Sequence, residues 1–381
     1  MEKIEKKEQI KVKLDKINKY YIGKKEKVHA VKDLSFYCRD KEFVALLGPS
    51  GCGKSSTLRM IAGLEEVSSG SINFGDREVT NLHPSKRNIG LAFENYALYP
   101  HLSVYENIVF PLRVKGISES EIKNNQRLNE LIEMFEIDKE ILDAYPKALS
   151  GGQAQLTSLV RCLVREADVY LLDEPLSHMD EDMRVRMRTT LKMMHHKMSK
   201  TFIYVTHDQL EAFALADRIV IMNFGVLQQS GNPRDIYSKP ANQFVASFIG
   251  EPPMNFLECY LSENNDDLLV HFGEQKIHIP EQFKGKIQPE KEYILGIRPE
   301  RVHVSKSSDD FKEPMKAYVE IFEYLGELNQ ITVKLGEERL ITEIDSNTQY
   351  KQGDEVYLSF DIHHMHLFDK DTLECIDYKF R

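Results

Sequence analysis

Three short, uninterrupted apolar runs mark the chain: Phe43-Val44-Ala45-Leu46-Leu47, Val169-Tyr170-Leu171-Leu172 and Thr201 to Thr206. A strand covered on both faces reads this way, because neither side of its pleat meets water. Residues 219–222 give a fourth strand. Ile10 to Leu14 and Leu34 to Tyr37 alternate like short strands, and Gly70 to Phe74 and Ile89 to Phe93 are also strand-like. Ser56 to Ala62 reads as a helix stopped by Gly63. From Val104 to about Leu149 apolar residues recur at helical spacing, as at Leu128, Leu131, Ile132 and Phe135. This predicts a helical insertion between sheet strands, a subdomain over about 101–160. Ser150-Gly151-Gly152-Gln153 then opens a further helix.

The pattern changes from about Ile236. A helical stretch, Phe244 to Ile249, meets a break at Glu251-Pro252-Pro253. Beyond it short strands are expected at 268–270, 293–297, 319–322, 331–335, 356–360 and 365–368. Strands so short and so spaced predict a small β-barrel. The expected organisation is an α/β domain over 1–236 and an all-β domain over 237–381.

Composition fits this division. A chain of 381 residues exceeds one ordinary core. With 41% apolar and 29% charged residues it reads as a soluble, folded protein. The net charge of −10 argues against nucleic acid as the main partner, which would need a basic face. Five cysteines (Cys38, Cys52, Cys162, Cys259 and Cys375) form no C-x-x-C pair, as expected of free thiols in a reducing compartment. Met1 to Lys19 is dense in Lys and Glu and lacks the apolar core of a signal peptide. No stretch approaches the roughly 20 apolar residues of a membrane helix, so membrane association is expected only through a partner.

Candidate chemistry sits at the ends of the apolar runs. After Leu47 comes Gly48-Pro49-Ser50-Gly51-Cys52-Gly53-Lys54-Ser55, with Ser56 beyond, which fits the phosphate-binding pattern G-x-x-x-x-G-K-[ST]. Small residues let backbone N–H groups approach phosphate oxygens, and the following helix adds partial positive charge. Lys54 would reach the β- and γ-phosphates and the Ser55 hydroxyl would hold Mg²⁺. Cys52 inside this loop is either a reactive thiol or a small residue the turn tolerates. Asp173 and Glu174 follow the second run, where ligands collect in open α/β sheets. Asp173 can support Mg²⁺ and Glu174 can polarise a water. His207 closes the third run and reads either as a γ-phosphate sensor or as a structural histidine. Tyr20 or Tyr21, before the turn-like Ile22-Gly23-Lys24, could stack on a base or fill a half-buried strand position.

Leu149-Ser150-Gly151-Gly152-Gln153 resembles the signature motif of ABC ATPases, and the phosphate loop, Leu171 to Pro175, Ser177 to Asp180 and Thr206-His207-Asp208 follow in that family's order. Asn95 to Leu102, Tyr204 to Glu211, Phe248 to Phe256, Gly296 to Glu300 and His366 to Phe368 further resemble the ATP-binding subunits of maltose-type carbohydrate importers. The likeness covers nearly the whole chain. It implies a P-loop NTPase of the ABC ATPase type with a helical subdomain, followed by an oligosaccharide-binding (OB), TOBE-type domain.

The resemblance also implies roles. Tyr21 would stack on adenine. Gly48, Pro49, Ser50, Gly51, Cys52, Gly53, Lys54, Ser55 and Ser56 would cradle the phosphates of ATP. Ser55, Glu94 and Asp173 would hold Mg²⁺. Glu174 would be the general base, and His207 would contact the γ-phosphate and position the water. Ser150, Gly151, Gly152, Gln153 and Asp180 would face the nucleotide on a second subunit. That subunit would be an identical copy or a paralogous ATPase. Two membrane-spanning permease subunits would receive the motion through the cleft around 94–102, with an extracellular solute-binding protein acting indirectly. The expected location is the cytoplasmic side of the membrane, peripherally bound, with ATP hydrolysis driving import of an oligosaccharide or related solute.

Some positions depart from the family. Glu94 stands where glutamine is usual. Ala154 and Leu156 replace two arginines, Val160 a glycine, and His178 and Met179 the commoner Asn and Leu. Two readings of the changes on the signature helix stay open: compensated repacking against the sheet, or an altered contact between subunits. They leave a second function open, a nucleotide-gated regulatory subunit that hydrolyses little.

Overall fold

The computed structural model describes residues 9–23, 27–264, 267–273, 275–278, 283–288, 291–326 and 328–378. Residues 1–8 of the charged N-terminal stretch, and Lys24 of the expected turn, lie outside them. The chain divides into two compact units, Met1–Pro233 and Arg234–Arg381.

In the first unit, strands β1 (Ile10–Ile22), β2 (Lys27–Arg39), β4 (Ser69–Phe74) and β5 (Arg77–Glu78) form an antiparallel sheet in the order β2-β1-β4-β5. The remaining strands are β3 (Phe43–Leu47), β6 (Ile89–Ala92), β7 (Val169–Asp173), β8 (Thr201–Thr206), β9 (Arg218–Asn223) and β10 (Val226–Gly231). They build a second sheet in the order β10-β9-β3-β8-β7-β6, parallel except for β10. Every residue of β3, β7 and β8 is buried, as their unbroken apolar runs require.

One sequence expectation needs correction. The alternating segments at 10–14 and 34–37 belong to two paired strands of 13 residues each, not to short ones. The pairing shifts register between Leu14 and Lys19, and Lys16 and Asp33 take left-handed backbone, with φ of 46° and 43°. Each shift resets which face is inward, so simple alternation fails along the strand. The helical insertion is built from several short helices. It comprises α2 (Val104–Val114), α3 (Glu119–Lys123) and α4 (Gln126–Met134), after α1 (Lys54–Ala62) and before α5 (Gly151–Val164). Ser103 with Glu106, Ser118 with Glu121 and Ser150 with Gln153 form capping boxes that start α2, α3 and α5. Helices α6 (Glu181–Met198) and α7 (Gln209–Leu215) join the later strands, and α8 (Pro233–Ser238) spans the division between units.

Among its described residues the second unit adds α9 (Gln243–Phe248) and ten strands in two antiparallel five-stranded sheets. One has β11 (Asn255–Asn264), β12 (Asp267–Phe272), β13 (Gln275–His278), β14 (Glu292–Ile297) and β20 (His366–Asp369), in the order β13-β12-β11-β14-β20. The other has β15 (Val302–Ser305), β16 (Met315–Tyr324), β17 (Leu328–Leu335), β18 (Glu338–Asp345) and β19 (Glu355–Phe360), in the order β15-β19-β16-β17-β18. Inward side chains of both sheets, among them Leu257, Leu295, Val319, Val333 and Leu358, share one core. Four strands of this unit went unread in the sequence: β11, β13, β15 and β18. In β18 a threonine takes an inward position: buried Thr342 donates its hydroxyl to the Val302 carbonyl at 2.6 Å, which hides the apolar alternation.

Burial, reinforced by the charges of Arg298 and His364, pushes the His366 imidazole down to about 4 from an ordinary 6.5. The folded state therefore resists a proton that the unfolded chain accepts. The sign follows from linkage: the neutral ring costs nothing above about pH 6.5, and stability falls as pH drops from there toward 4. In urea melts followed by circular dichroism, His366→Gln is expected to lose less stability between pH 7 and pH 5 than the wild type. Identical pH dependence would refute this.

Candidate active site

The phosphate loop leaves β3 at Gly48 and ends where α1 begins. A Cβ on Gly48 would lie 2.2 Å from the Met222 carbonyl oxygen, and one on Gly53, at φ 105°, would lie 2.6 Å from that of Ala30. The loop backbone is therefore pressed against β9 and β2 at two points where only glycine fits. Pro49, Ser50 and Gly51 form its more open crest. Lys54 is buried, and its Nζ donates to the carbonyls of Gly48 at 2.6 Å and Pro49 at 2.9 Å. The N-terminal turn of α1 gives the loop the polarity of an anion site. Cys52 is buried beneath it with its thiol pushed up by burial, which suits a small filling residue better than a nucleophile.

The order of the parallel sheet places β3, β8 and β7 side by side, so the loop, His207 and Asp173-Glu174 emerge at one edge. Buried Asp173 accepts a hydrogen bond from the Ser55 hydroxyl at 3.0 Å. Burial holds its carboxyl above the usual carboxylate range, against the Ser55 bond, and the charges of Glu94 and Glu174 add to the rise. Glu174 sits in left-handed backbone, φ 45°, with its N–H donating to Val205 O at 2.9 Å. Its Oε2 lies 3.0 Å from Nδ1 of exposed His207.

Sequence reasoning missed the residues that hold these groups. Gln155 Nε2 and Ser177 Oγ both donate to the Glu174 carbonyl, at 3.1 and 2.9 Å. Buried Glu211 accepts from Tyr204 Oη at 2.8 Å and Thr206 Oγ1 at 2.7 Å, anchoring the strand end that carries His207. The available signal was local: Gln155 lies between apolar residues on a helix, and Glu211 follows a polar strand end by one turn.

Glu94 follows β6, whose Ala92 pairs with Leu172, so Glu94 and Asp173 leave adjacent strands almost level. Glu94 is exposed. The turn after it is strained, with Tyr96 at φ 60° and Ala97 at φ 46°. Ser158 and Arg161 of α5 hold it, donating to the Tyr96 carbonyl at 2.8 and 2.7 Å, and Arg161 also to Ala97 O at 2.8 Å. Asn107 of α2 accepts from Tyr99 N–H at 2.8 Å.

The two tyrosines differ in place. Tyr21 Oη lies 3.0 Å from Ser56 Oγ, beside the loop. Tyr20 stacks on His29 at 4.0 Å between ring centroids.

Ser150 to Gln153 and Asp180 are placed otherwise. Ser150 caps α5 and Asp180 caps α6 through Met183 N–H at 2.9 Å. Gly151 and Gly152 leave room for Tyr96 Oη and Met183 Sδ, each 3.2 Å from where a Cβ would stand. Among the described residues no hydrogen bond joins 150–153 or Asp180 to the phosphate loop. Ala154, Leu156 and Val160 are buried on α5, and so is Met179. His178 Nδ1 lies 3.1 Å from both Ser177 Oγ and Gln155 Oε1, with its ring edge-on to Tyr96 at 5.2 Å.

The donors near the loop are hard oxygens: Ser55 hydroxyl and the Asp173 and Glu94 carboxylates. Among the described residues no cluster of three or more His, Cys, Asp or Glu side chains could hold a metal by itself. This set fits Mg²⁺, which binds one or two carboxylates and takes its remaining oxygens from substrate phosphates and water.

Among the described residues no helix is long and apolar enough to cross a membrane. Residues 31–177 match the ABC transporter family, 250–302 the MalK OB fold domain and 295–368 the TOBE domain. The trehalose/maltose import ATP-binding protein MalK of Thermococcus litoralis is 44% identical over 92% of this chain and 96% of its own. The oligosaccharides import ATP-binding protein MsmX of Bacillus subtilis is 41% identical over 95% and 98%. In solved structures, the ATP-binding cassette MJ0796, a dimer bound to ADP and Pi after hydrolysis, superposes with a TM-score of 0.55. It is 28% identical over 58% of this chain and 99% of that one. With a phosphate loop, an Asp-Glu strand end and a histidine on one edge of the sheet, and relatives matched over more than nine-tenths of its length, this chain belongs to the ATP-binding proteins of ABC transporters.

Proposed function

We propose that the protein is the ATP-hydrolysing subunit of a carbohydrate importer. The observation that carries this reading is the pair of contacts at the mouth of the phosphate loop: Ser55 to Asp173 at 3.0 Å, and Glu174 to His207 at 3.0 Å. Relatives named for trehalose, maltose and oligosaccharide import support the solute class.

In this reading Tyr21 stacks on adenine, and Gly48 to Ser56 hold the phosphates with Lys54 against the β- and γ-groups. Glu174 takes a proton from the attacking water, and His207, bonded to Glu174, orients that water and touches the γ-phosphate. Ser55, Glu94 and Asp173 would hold Mg²⁺, which when bound would supply positive charge to the transferring phosphoryl group. Ser150 to Gln153 and Asp180, which among the described residues make no hydrogen bond to their own phosphate loop, cover the nucleotide of a second copy or of a paralogous ATPase. The dimer docks on two membrane-spanning permease subunits from the cytoplasmic side, with the solute-binding protein acting at a distance and no role for nucleic acid.

The test is steady-state ATPase activity of the full chain, alone and reconstituted with the permease subunits of its own transporter. Mg²⁺-dependent hydrolysis that rises with the permeases and their solute is expected. ATP binding with little hydrolysis in either preparation would instead support the nucleotide-gated regulator, a reading favoured by the extra carboxylate at Glu94.

A further inference from the structure

Three acids converge on the mouth of the phosphate loop, Asp173 and Glu174 from the end of β7 and Glu94 from the turn beyond β6. Asp173 is tied to Ser55, and Glu174 to His207. Glu94 is different. It is exposed, and among the described residues no hydrogen bond or ion pair neutralises its carboxylate. Its backbone has little freedom to carry the charge away, because Ser158, Arg161 and Asn107 pin the strained turn that follows. Of the nearby cations, Lys54 makes its bonds within the loop, and Arg59, whose charge reaches Asp173, forms no ion pair with Glu94 among the described residues. An unpaired negative charge, carried at the start of a pinned turn, therefore stands where an anionic ligand must arrive.

We infer that Glu94 makes nucleotide binding at this site conditional on a divalent cation. With the cation present, the carboxylate is a ligand or is screened by it. Without the cation, it repels the polyphosphate. A neutral glutamine at position 94 would offer an oxygen to the cation and no net charge to the phosphates. The carboxylate thus widens the gap between the two conditions, and by linkage the bound nucleotide tightens the cation by the same factor. This inference rests on the phosphate-loop reading of Gly48 to Ser56.

The experiment measures the affinity of the full chain for a non-hydrolysable ATP analogue by equilibrium dialysis, in excess Mg²⁺ and in EDTA. Wild type is compared with Glu94→Gln and with Glu140→Gln, an exposed carboxylate in the short 3₁₀ helix Lys139–Ile141. Chelation is expected to weaken wild type about tenfold more than it weakens Glu94→Gln, the size of a charge–charge term at a partly solvated site. Glu140→Gln should behave as wild type. An equal loss in wild type and Glu94→Gln overturns the inference, as does an equal effect of Glu140→Gln. If no protein binds the analogue even with Mg²⁺, the phosphate-loop reading itself fails.

Discussion

Glu174→Gln leaves a protein that binds ATP and turns it over ~10²–10⁴-fold more slowly, the usual loss when a general base is removed. The substitution is nearly isosteric. The amide can still accept from His207 through its oxygen, so the 3.0 Å contact has a neutral counterpart and the strand end keeps its shape. The bonds that fix the Glu174 backbone come from Val205, Gln155 and Ser177 and do not involve the side chain. What disappears is the capacity to take a proton. The groups proposed to hold the phosphates, Lys54 and Ser55, are untouched. Nucleotide affinity by dialysis should therefore stay within about twofold of wild type while single-turnover hydrolysis collapses. Equal hydrolysis rates for the two proteins would remove Glu174 from the role of base.

Arg298→Ala should cost the second unit ~2–4 kcal/mol, because it strips donors from several buried acceptors at once. The guanidinium is buried. It donates to the carbonyls of Ala246 at 3.1 Å, Tyr237 at 3.1 Å and Ile249, and lies over the Tyr237 ring at 4.2 Å. Through these bonds one residue beyond β14 ties down the ends of α8 and α9. Gly250, at φ 110°, makes the space: a Cβ there would lie 2.6 Å from the guanidinium. Arg298→Lys keeps the charge but loses the planar fork, so an intermediate loss is expected. Urea unfolding at pH 7 measures both. A change within about 0.5 kcal/mol for the alanine variant, typical of a surface site, would show that the bonds add nothing net.

The site was more legible in the sequence than the fold around it, for a physical reason. Phosphate binding needs glycines at fixed offsets, and Gly48 and Gly53 are the points where neighbouring backbone leaves no room for a side chain. Strands buried on both faces need unbroken apolar runs, so β3, β7 and β8 and the acids after β7 could be read directly. The long pair β1–β2 could not, since its register shifts are tertiary events with no periodic trace. The positions that departed from the family were visible, but their meaning was not. Ala154, Leu156 and Val160 are buried along α5, a placement that fits the repacking reading. Gln155 and Glu211 were unreadable as supports because their partners lie on other elements.

The order of the parallel sheet has a consequence for biosynthesis. Phe43 pairs with Phe202 and Val44 with Arg218, so the strand that carries the phosphate loop gains its in-sheet neighbours only when much of the unit has been synthesised. Pairings so distant in sequence must close long loops before they repay the entropy, and such topologies fold slowly. The backbone of Gly48 is sealed from behind by Met222. A nascent chain stalled before β8 would hold the complete phosphate-loop motif and no finished site, an exposed apolar strand in need of chaperone protection rather than a nucleotide-binding protein.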